Sequence, residues 1–302
     1  MTIESRVPRD IYLGLPGINI TRLKELRRSP QHYRYALDHP KESDAMTLGI
    51  ATHVAVLEPE RFEKQFAVWT KRTDGGAMSP RRGKDWDEFS LLNASRTILT
   101  QDEARISKEI AKAVRSDATA MKYLEAGEPE VTLQWALNPQ RSEDNGYRLC
   151  KGRIDWFTSD SFTSDPIIAG LKTTRGPIIV GLKTTRDCRP YQFGSQAAKL
   201  DYAIQWAWYA DGFEANTGKT PRMVEIVVES APPYAVATYL IEDDLLVQGR
   251  ENYIALLRQL ADCEAADTWP GPVIGEQILS LPSWYYPGGD DDLSDLGLEM
   301  GS

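Results

Sequence analysis

Five short segments in the second half of the chain constrain its fold most, because each is rich in β-branched and aromatic residues. Such residues favour extended backbone, so each segment is predicted to be a β-strand. A helical pattern over 190–216 separates the third and fourth segments, and a second helical pattern follows the fifth. This order predicts an α/β fold in which helices flank a mixed central sheet. The segments read EVTLQWAL, YRLCKGRIDWF, PIIVGLKTT, RMVEIVVES and YAVATYLI.

The first part of the chain shows helical patterns instead. Ser29 followed by Pro30 is typical of a helix N-terminus, and residues 45–57 carry apolar side chains at helical spacing. Thr100 and Glu103 form the pattern of a capping box before an amphipathic helix. We therefore predict a helical N-terminal part (1–125), an α/β core (126–286) and an acidic, disordered tail (287–302).

Composition is that of a globular protein, with 302 residues that are 41% hydrophobic and 26% charged. The formal net charge of −9 argues against a general nucleic-acid coat protein. Basic residues nevertheless crowd one short segment, where they could contact phosphate or form only a solvated rim, and the sequence leaves both alternatives open. They are Lys172, Arg175, Lys183, Arg186 and Arg189.

Several function classes are disfavoured by what the sequence lacks. Cys150, Cys188 and Cys263 are odd in number and far apart, which disfavours a disulfide framework and a CxxC zinc site. The chain has no apolar run of about 18 residues, the length that a membrane helix needs. Its first residues do not resemble a signal peptide, so we expect a cytoplasmic protein.

Four motifs could converge into one site on this scaffold: GIATH, which ends at His53, EPE at 128–130, RID ending at Asp155, and GLK ending at Lys183. Carboxylates bind Mg²⁺ or Mn²⁺, and a lysine can stabilise the charge that develops on a phosphate. Residues two apart on a strand point to the same face, so acids and a lysine on neighbouring strands form a compact site. The combination indicates metal-dependent phosphodiester cleavage.

The order GxxxH, D, xLKTT and YxxQxxxY resembles the RecE/exodeoxyribonuclease VIII branch of the PD-(D/E)xK nuclease superfamily, and the resemblance covers most of the chain. It implies a restriction-endonuclease-like core. It also implies that His53, Asp155 and the backbone carbonyl of Leu182 hold Mg²⁺ or Mn²⁺, and that Lys183 is the catalytic lysine. Without the motif, a lone histidine on an apolar helix would be read as a core residue.

Further roles follow from the same resemblance. Glu130 is similar in place to the upstream acid of the family, although Glu128 lies two positions away and stays an alternative. Tyr202, Gln205 and Tyr209 share one helical face and match the tyrosine–glutamine motif, which implies a place near the DNA or the scissile phosphate. Gly49, one turn before the histidine, is expected to let the helix approach the sheet closely.

An internal repeat complicates the site, because PIIAGLKTTRG is followed directly by PIIVGLKTTRD. The second copy keeps the family spacing to the downstream motif, so we place Lys183 in the site and interpret the first copy as a tandem insertion. The family has an acid two residues before the lysine, but this chain has Gly181 there, and Gly170 in the first copy. Asp165 or Asp187 could supply the missing carboxylate.

Two functions are consistent with these residues. One is a metal-dependent exodeoxyribonuclease that degrades linear double-stranded DNA. The resemblance further implies digestion from the 5′ end in phage-type recombination, action on DNA ends as a homo-oligomer, and a single-strand annealing protein that receives the remaining strand. The other is a catalytically impaired DNA-binding or partner-binding prophage remnant of the same fold. A small-molecule hydrolase is disfavoured, because no nucleophile pairs with a histidine in the motif-bearing region.

Overall fold

The computed structural model describes residues 2–39, 44–73, 75–76, 78–138, 147–159, 176–281 and 285. The strands are β1 (Thr2–Glu4), β2 (Ile18–Asn19), β3 (Phe66–Val68), β4 (Thr97–Leu99), β5 (Glu128–Leu137), β6 (Arg148–Thr158), β7 (Ile178–Thr185), β8 (Arg222–Glu229) and β9 (Val236–Leu240). The helices are α1 (Arg9–Gly14), α2 (Ile20–Leu23), α3 (Pro30–Asp38), α4 (Asp44–Leu57), α5 (Pro59–Gln65), α6 (Lys84–Leu92), α7 (Gln101–Ser116), α8 (Ala118–Leu124), α9 (Pro190–Lys199), α10 (Tyr202–Thr217) and α11 (Asp243–Ala266), with a 3₁₀ helix at Lys24–Arg27.

A seven-stranded mixed sheet organises the molecule, with the order β1-β5-β6-β7-β8-β9 and β2 added beside β6. Pairing is antiparallel along β1-β5-β6-β7 and between β8 and β9, whereas β2 with β6 and β7 with β8 are parallel pairs. Parallel neighbours need a crossover connection, which α9 and α10 provide. The predicted α/β fold, with a mixed central sheet flanked by helices, is confirmed.

Each face of the sheet is covered by its own apolar cluster. Helices α10 and α11 cover one face, and α4 and α7 cover the other. On β7, Ile179 belongs to the first cluster, whereas Ile178, Val180 and Leu182 belong to the second. Because side chains alternate along a strand, Gly181 and Lys183 face the α10 side.

The capping signals read from the sequence are confirmed in the structure. The Ser29 hydroxyl accepts a hydrogen bond from the His32 backbone N–H, and Pro30 occupies the first turn of α3. Thr100 and Glu103 form a complete capping box at the start of α7. The N-terminal part also contributes strands that the sequence patterns did not predict, since β1 and β2 join the central sheet. The division of the chain at residue 125 stays a prediction.

The single helix predicted over 190–216 is wrong, because the chain breaks between α9 and α10. Asp201 adopts a left-handed φ of 52° there. Basic residues of the N-terminal part stabilise this break: Lys24 donates to the Leu200 carbonyl at 2.7 Å, and Arg27 pairs with Asp201 at 2.7 Å. Tertiary contacts of this kind override the local helical pattern.

Some predictions fall outside the described residues. These are the tail at 287–302 and the first repeat copy with Asp165, Gly170, Lys172 and Arg175. The cysteines Cys150, Cys188 and Cys263 are buried and free. None of the described helices combines the length and apolar character needed to cross a membrane.

We expect Gly249→Ala to destabilise the protein by about 3 kcal/mol, because an added methyl has no room between α11 and α10. A Cβ at this position would lie 2.5 Å from the carbonyl carbon of Ala203 and 3.1 Å from the Ala207 Cβ. Backbone atoms cannot rotate away as a side chain can. The free energy of unfolding from urea titration followed by circular dichroism measures the effect.

Gly194→Ala is the matched control, since a Cβ added at this position in α9 would meet nothing within 4 Å. The higher helix propensity of alanine should make this variant neutral or more stable by about 0.5–1 kcal/mol. Equal effects of the two substitutions would contradict the close packing of α10 against α11.

Candidate active site

The site lies where β6 and β7 separate. Their hydrogen-bonded ladder joins Trp156–Thr158 to Ile178–Val180. Past this ladder, β7 continues beside β8 while β6 continues beside β5. Asp155, the residue just before the ladder, bridges the opening: its Oδ2 accepts a hydrogen bond from the Leu182 backbone N–H at 2.9 Å. The strand separation thus gives one carboxylate access to both faces of the sheet.

His53 approaches Asp155 from α4, with 3.6 Å between Nδ1 and Oδ1. Burial lowers the pKa of His53, and this effect exceeds the opposing effect of Asp155, so the imidazole is neutral and keeps a lone pair. Hydrogen bonding to the Leu182 backbone raises the His53 pKa. His53, Asp155 and the backbone of Leu182 therefore lie together, and metal binding by the Leu182 carbonyl stays a prediction.

These donors fit a divalent cation. Burial raises the pKa of Asp155, but the charge of Lys183 and the hydrogen bond from the Leu182 N–H act against it, and the pKa is lowered overall, so the carboxylate is ionised. An ionised carboxylate, a neutral imidazole and a carbonyl are ligands of Mn²⁺, and of Mg²⁺ with several waters retained. Among the described residues, histidine, cysteine and acidic side chains do not form a cluster of three or more that could hold a metal. The backbone carbonyl and water would have to complete the set.

Lys183 approaches Asp155 from the α10 side. Its Nζ lies 3.8 Å from Asp155 Oδ2 and 3.6 Å from Glu225 Oε1. Burial lowers the pKa of Lys183, but the carboxylates of Glu225 and Asp155 outweigh it and raise the pKa, so the ammonium stays charged. The Tyr202 ring centroid lies 5.6 Å from Nζ, close enough for a cation–π contact.

Glu130 and Glu128 take different positions, although they are two apart on one strand. Glu130 has a left-handed φ of 54°, which interrupts the alternation of side chains. Its buried carboxylate pairs with Arg153, and burial raises its pKa to about 7. The Glu128 side chain is 53% exposed and lies 3.8 Å from Arg6. The structure therefore brings Glu130, and not Glu128, to the site.

A cavity of about 770 Å³ opens on the α4 side of Asp155. Its polar lining includes three residues that the sequence analysis missed: Glu58, Arg61 and Arg153. Arg61 pairs with the buried Glu58 at 2.6 Å. The signal for Glu58 was available, since LEPE follows the GIATH motif by one helical turn. The cavity also holds His53, Glu130 and Asp155.

Gly49 lines this cavity, and the role predicted for it is wrong. A Cβ added at Gly49 would meet nothing within 4 Å, so the glycine is not required for close approach of α4 to the sheet. Its lack of a side chain instead leaves open space one turn before His53.

The tyrosine–glutamine face of α10 does meet Lys183. Gln205 and Tyr209 line a small cavity of about 10 Å³ together with Lys183 and Asp155. Gln205 Nε2 donates to the Tyr209 hydroxyl at 3.0 Å, and burial raises the pKa of Tyr209 to about 12. These contacts place Gln205 and Tyr202 beside the lysine, where they can fix the position of its ammonium.

Glu225 is a second acidic residue of this site, besides Glu58, that the sequence analysis did not identify. It lies on β8 directly opposite Gly181 and is 1% exposed. Trp206 donates its indole N–H to Glu225 Oε2 at 2.5 Å. The available signal was a single glutamate within the apolar strand RMVEIVVES, because buried charges are rare unless they are paired.

Asp187, one of the acids expected to replace the missing carboxylate, does not reach the site. Its side chain accepts hydrogen bonds from the Arg189 backbone N–H at 2.9 Å and from Arg189 Nε at 3.0 Å. These hydrogen bonds lower the Asp187 pKa and hold the carboxylate beyond the end of β7. The structure therefore gives no support to Asp187 as the replacement carboxylate, and its role stays a prediction.

Comparison with known proteins agrees with this geometry. A family model described as a PDDEXK-like domain of unknown function, DUF3799, matches residues 19–276. A crystal structure of a protein from Eubacterium rectale, to which exonuclease activity is ascribed, superposes with a TM-score of 0.57 at 14% identity, covering 98% of this chain and 100% of that one. No curated protein sequence matches the chain. The family match spans most of the sequence, and the chain belongs to the DUF3799 family of PDDEXK-like domains.

Proposed function

We propose that this protein is a metal-dependent exodeoxyribonuclease that degrades linear double-stranded DNA from the 5′ end. One observation carries the proposal: a partly buried, charged Lys183 lies 3.8 Å from Asp155, and His53 contacts the same carboxylate at 3.6 Å from the other side. A cation, an acid and a neutral imidazole around one strand opening are the parts that phosphodiester hydrolysis requires.

Each residue has a role in this proposal. His53, Asp155 and the Leu182 carbonyl would hold Mg²⁺ or Mn²⁺, which when bound polarises a phosphate and lowers the pKa of a water. Lys183 stabilises negative charge that develops on the phosphate oxygens. Gln205 and Tyr202 position Lys183. Glu130 shares the cavity with Asp155 and is available to a second cation or a water.

The cavity beside Asp155 suits a nucleic-acid strand. Arg61 and Arg153 lie in its wall, where their guanidinium groups can reach backbone phosphates. The acidic net charge of −9 then belongs to the rest of the surface, which suits a homo-oligomer that encloses DNA. The preference for ends, the 5′ polarity and the single-strand annealing partner rest on the resemblance to recombination exonucleases.

Digestion of linear duplex DNA labelled at either the 5′ or the 3′ end tests the proposal. With Mg²⁺ or Mn²⁺ we expect early release of the 5′ label as mononucleotide, retention of the 3′ label until late, and no reaction in chelator. Covalently closed circular duplex of the same sequence is the control and should stay intact. Equal cleavage of the circle would indicate an endonuclease, and no cleavage with any divalent metal would overturn the proposal.

Gly181 favours a second candidate function, a DNA-binding protein that has lost catalysis, because β7 carries no carboxylate two residues before Lys183. That protein would retain the arginines of the cavity wall and bind duplex ends without cutting them. Gel-shift and cleavage assays on the same labelled DNA separate the two functions: binding without release of label in any metal would support the second.

A further inference from the structure

The space beside Gly181 is filled by another residue. An added Cβ at Gly181 would lie 2.7 Å from the carboxyl carbon of Glu225, closer than real Cβ contacts come. Gly181 and Glu225 are direct partners in the parallel register of β7 and β8. The carboxyl group of Glu225 therefore occupies the position from which an acidic side chain at residue 181 would extend.

Strand geometry explains how the Glu225 carboxyl can lie beside the backbone of residue 181 on the neighbouring strand. Neighbouring strands lie about 4.8 Å apart, so a side chain on β8 must reach sideways to take a place on β7. Glutamate is one methylene longer than aspartate and can cover that distance only if its neighbour has no side chain. Gly181 meets this condition.

The two carboxylate oxygens of Glu225 are engaged unequally. Its Oε2 accepts the Trp206 indole N–H, and its Oε1 lies 3.6 Å from Lys183 Nζ. Among the described residues, no group donates a hydrogen bond to Oε1. Among the described residues Oε1 is therefore paired only with the Lys183 ammonium, at 3.6 Å, which leaves room for a metal cation to contact this oxygen more closely. Glu225 also lines the small cavity of about 10 Å³ with Asp155 and Lys183, which is roughly the space of one water.

We propose that Glu225 supplies the second metal-binding carboxylate of this site. In this proposal β8 provides the acid that β7 lacks, and the absence of a side chain at Gly181 leaves the space that the Glu225 carboxyl occupies. The inference rests on the proposed function, because it concerns the same metal. The competing explanation is that Glu225 only neutralises the buried Lys183. Metal affinity separates these explanations when Glu225→Gln is compared with its parent in a Lys183→Met background, because Glu225 then has no ammonium to neutralise and only a lost ligand should weaken binding.

Binding of Mn²⁺, followed by the loss of the free-ion signal in electron paramagnetic resonance, tests the inference in the intact chain. We expect Glu225→Gln, which keeps the shape and can still accept from Trp206, to raise the Kd for Mn²⁺ by about 10- to 100-fold. Gly181→Asp alone should be poorly folded, because its side chain meets the Glu225 carboxyl. Combining Gly181→Asp with Glu225→Ala should restore Mn²⁺ affinity to within about 10-fold of the parent.

An unchanged Mn²⁺ affinity in Glu225→Gln would overturn the inference. Should that variant fail to fold, the double variant decides alone: folded protein that binds Mn²⁺ no better than Glu225→Ala overturns it, and restored binding supports it. A parent chain that binds no Mn²⁺ also overturns it. A parent that binds Mn²⁺ through Glu225 but leaves DNA intact overturns the proposed nuclease function and not this inference.

Discussion

Lys183→Met is expected to lower the rate of DNA cleavage about 1,000-fold, the cost of removing a charged donor from a site that stabilises an oxyanion. Methionine keeps the length and most of the volume of lysine but removes the charge that lies between Asp155 and Glu225. Those two carboxylates would then repel each other, and a bound cation would relieve the repulsion. We therefore expect Mn²⁺ affinity to stay equal or to increase while cleavage is lost.

Single-turnover cleavage of linear duplex DNA, measured beside Mn²⁺ binding, checks this expectation. Lys151→Met is the matched control, because Lys151 is also buried but donates to the carbonyls of Tyr12, Leu13 and Leu15. The control variant should lose stability and keep its rate per folded molecule. If both variants kept the parent rate, Lys183 would have no part in the chemistry.

Much of the fold could be predicted from the sequence because its signals are local. The capping box at Thr100 and Glu103 joins residues three apart. The five strand segments can be recognised by their composition within eight to eleven residues each. The break at Asp201 could not be predicted, because Lys24 and Arg27, which stabilise it, lie far away along the chain.

The same distinction applies to the candidate site. His53, Asp155 and Lys183 belong to motifs whose spacing is informative, and the structure brings all three together. Glu225 and Gly181 become neighbours only through the register of β7 against β8, which depends on the length and packing of the crossover between them. Register of this kind is a property of the assembled sheet.

Backbone conformation decided between Glu128 and Glu130. Strict alternation would place both on one face, but the left-handed φ of Glu130 turns its side chain toward Arg153 and the cavity. Non-glycine residues rarely adopt this conformation, so sequence patterns give no warning of it. Such strain is characteristic of functional sites, which agrees with the place of Glu130 beside Asp155.

Asp155→Asn is expected to reduce Mn²⁺ affinity by about 100-fold or more and to abolish cleavage, because Asp155 links all parts of the site. The carboxylate contacts His53 and Lys183 and accepts the Leu182 backbone N–H. Asparagine can still accept that hydrogen bond, so the variant should fold, but it removes the negative charge that a cation needs. Titration with Mn²⁺ and cleavage of labelled duplex measure the two effects.

Asp187→Asn provides the comparison, since Asp187 follows the same strand β7 but is engaged by Arg189 away from the site. Its Mn²⁺ affinity and cleavage rate should stay within about 2-fold of the parent, the change typical of a surface substitution. The contrast is informative because Asp155 and Asp187 flank Lys183 in the sequence, but only Asp155 lies at the opening between β6 and β7. Parent-like Mn²⁺ binding by Asp155→Asn would mean that the cation lies elsewhere, and the proposed site would have to be abandoned.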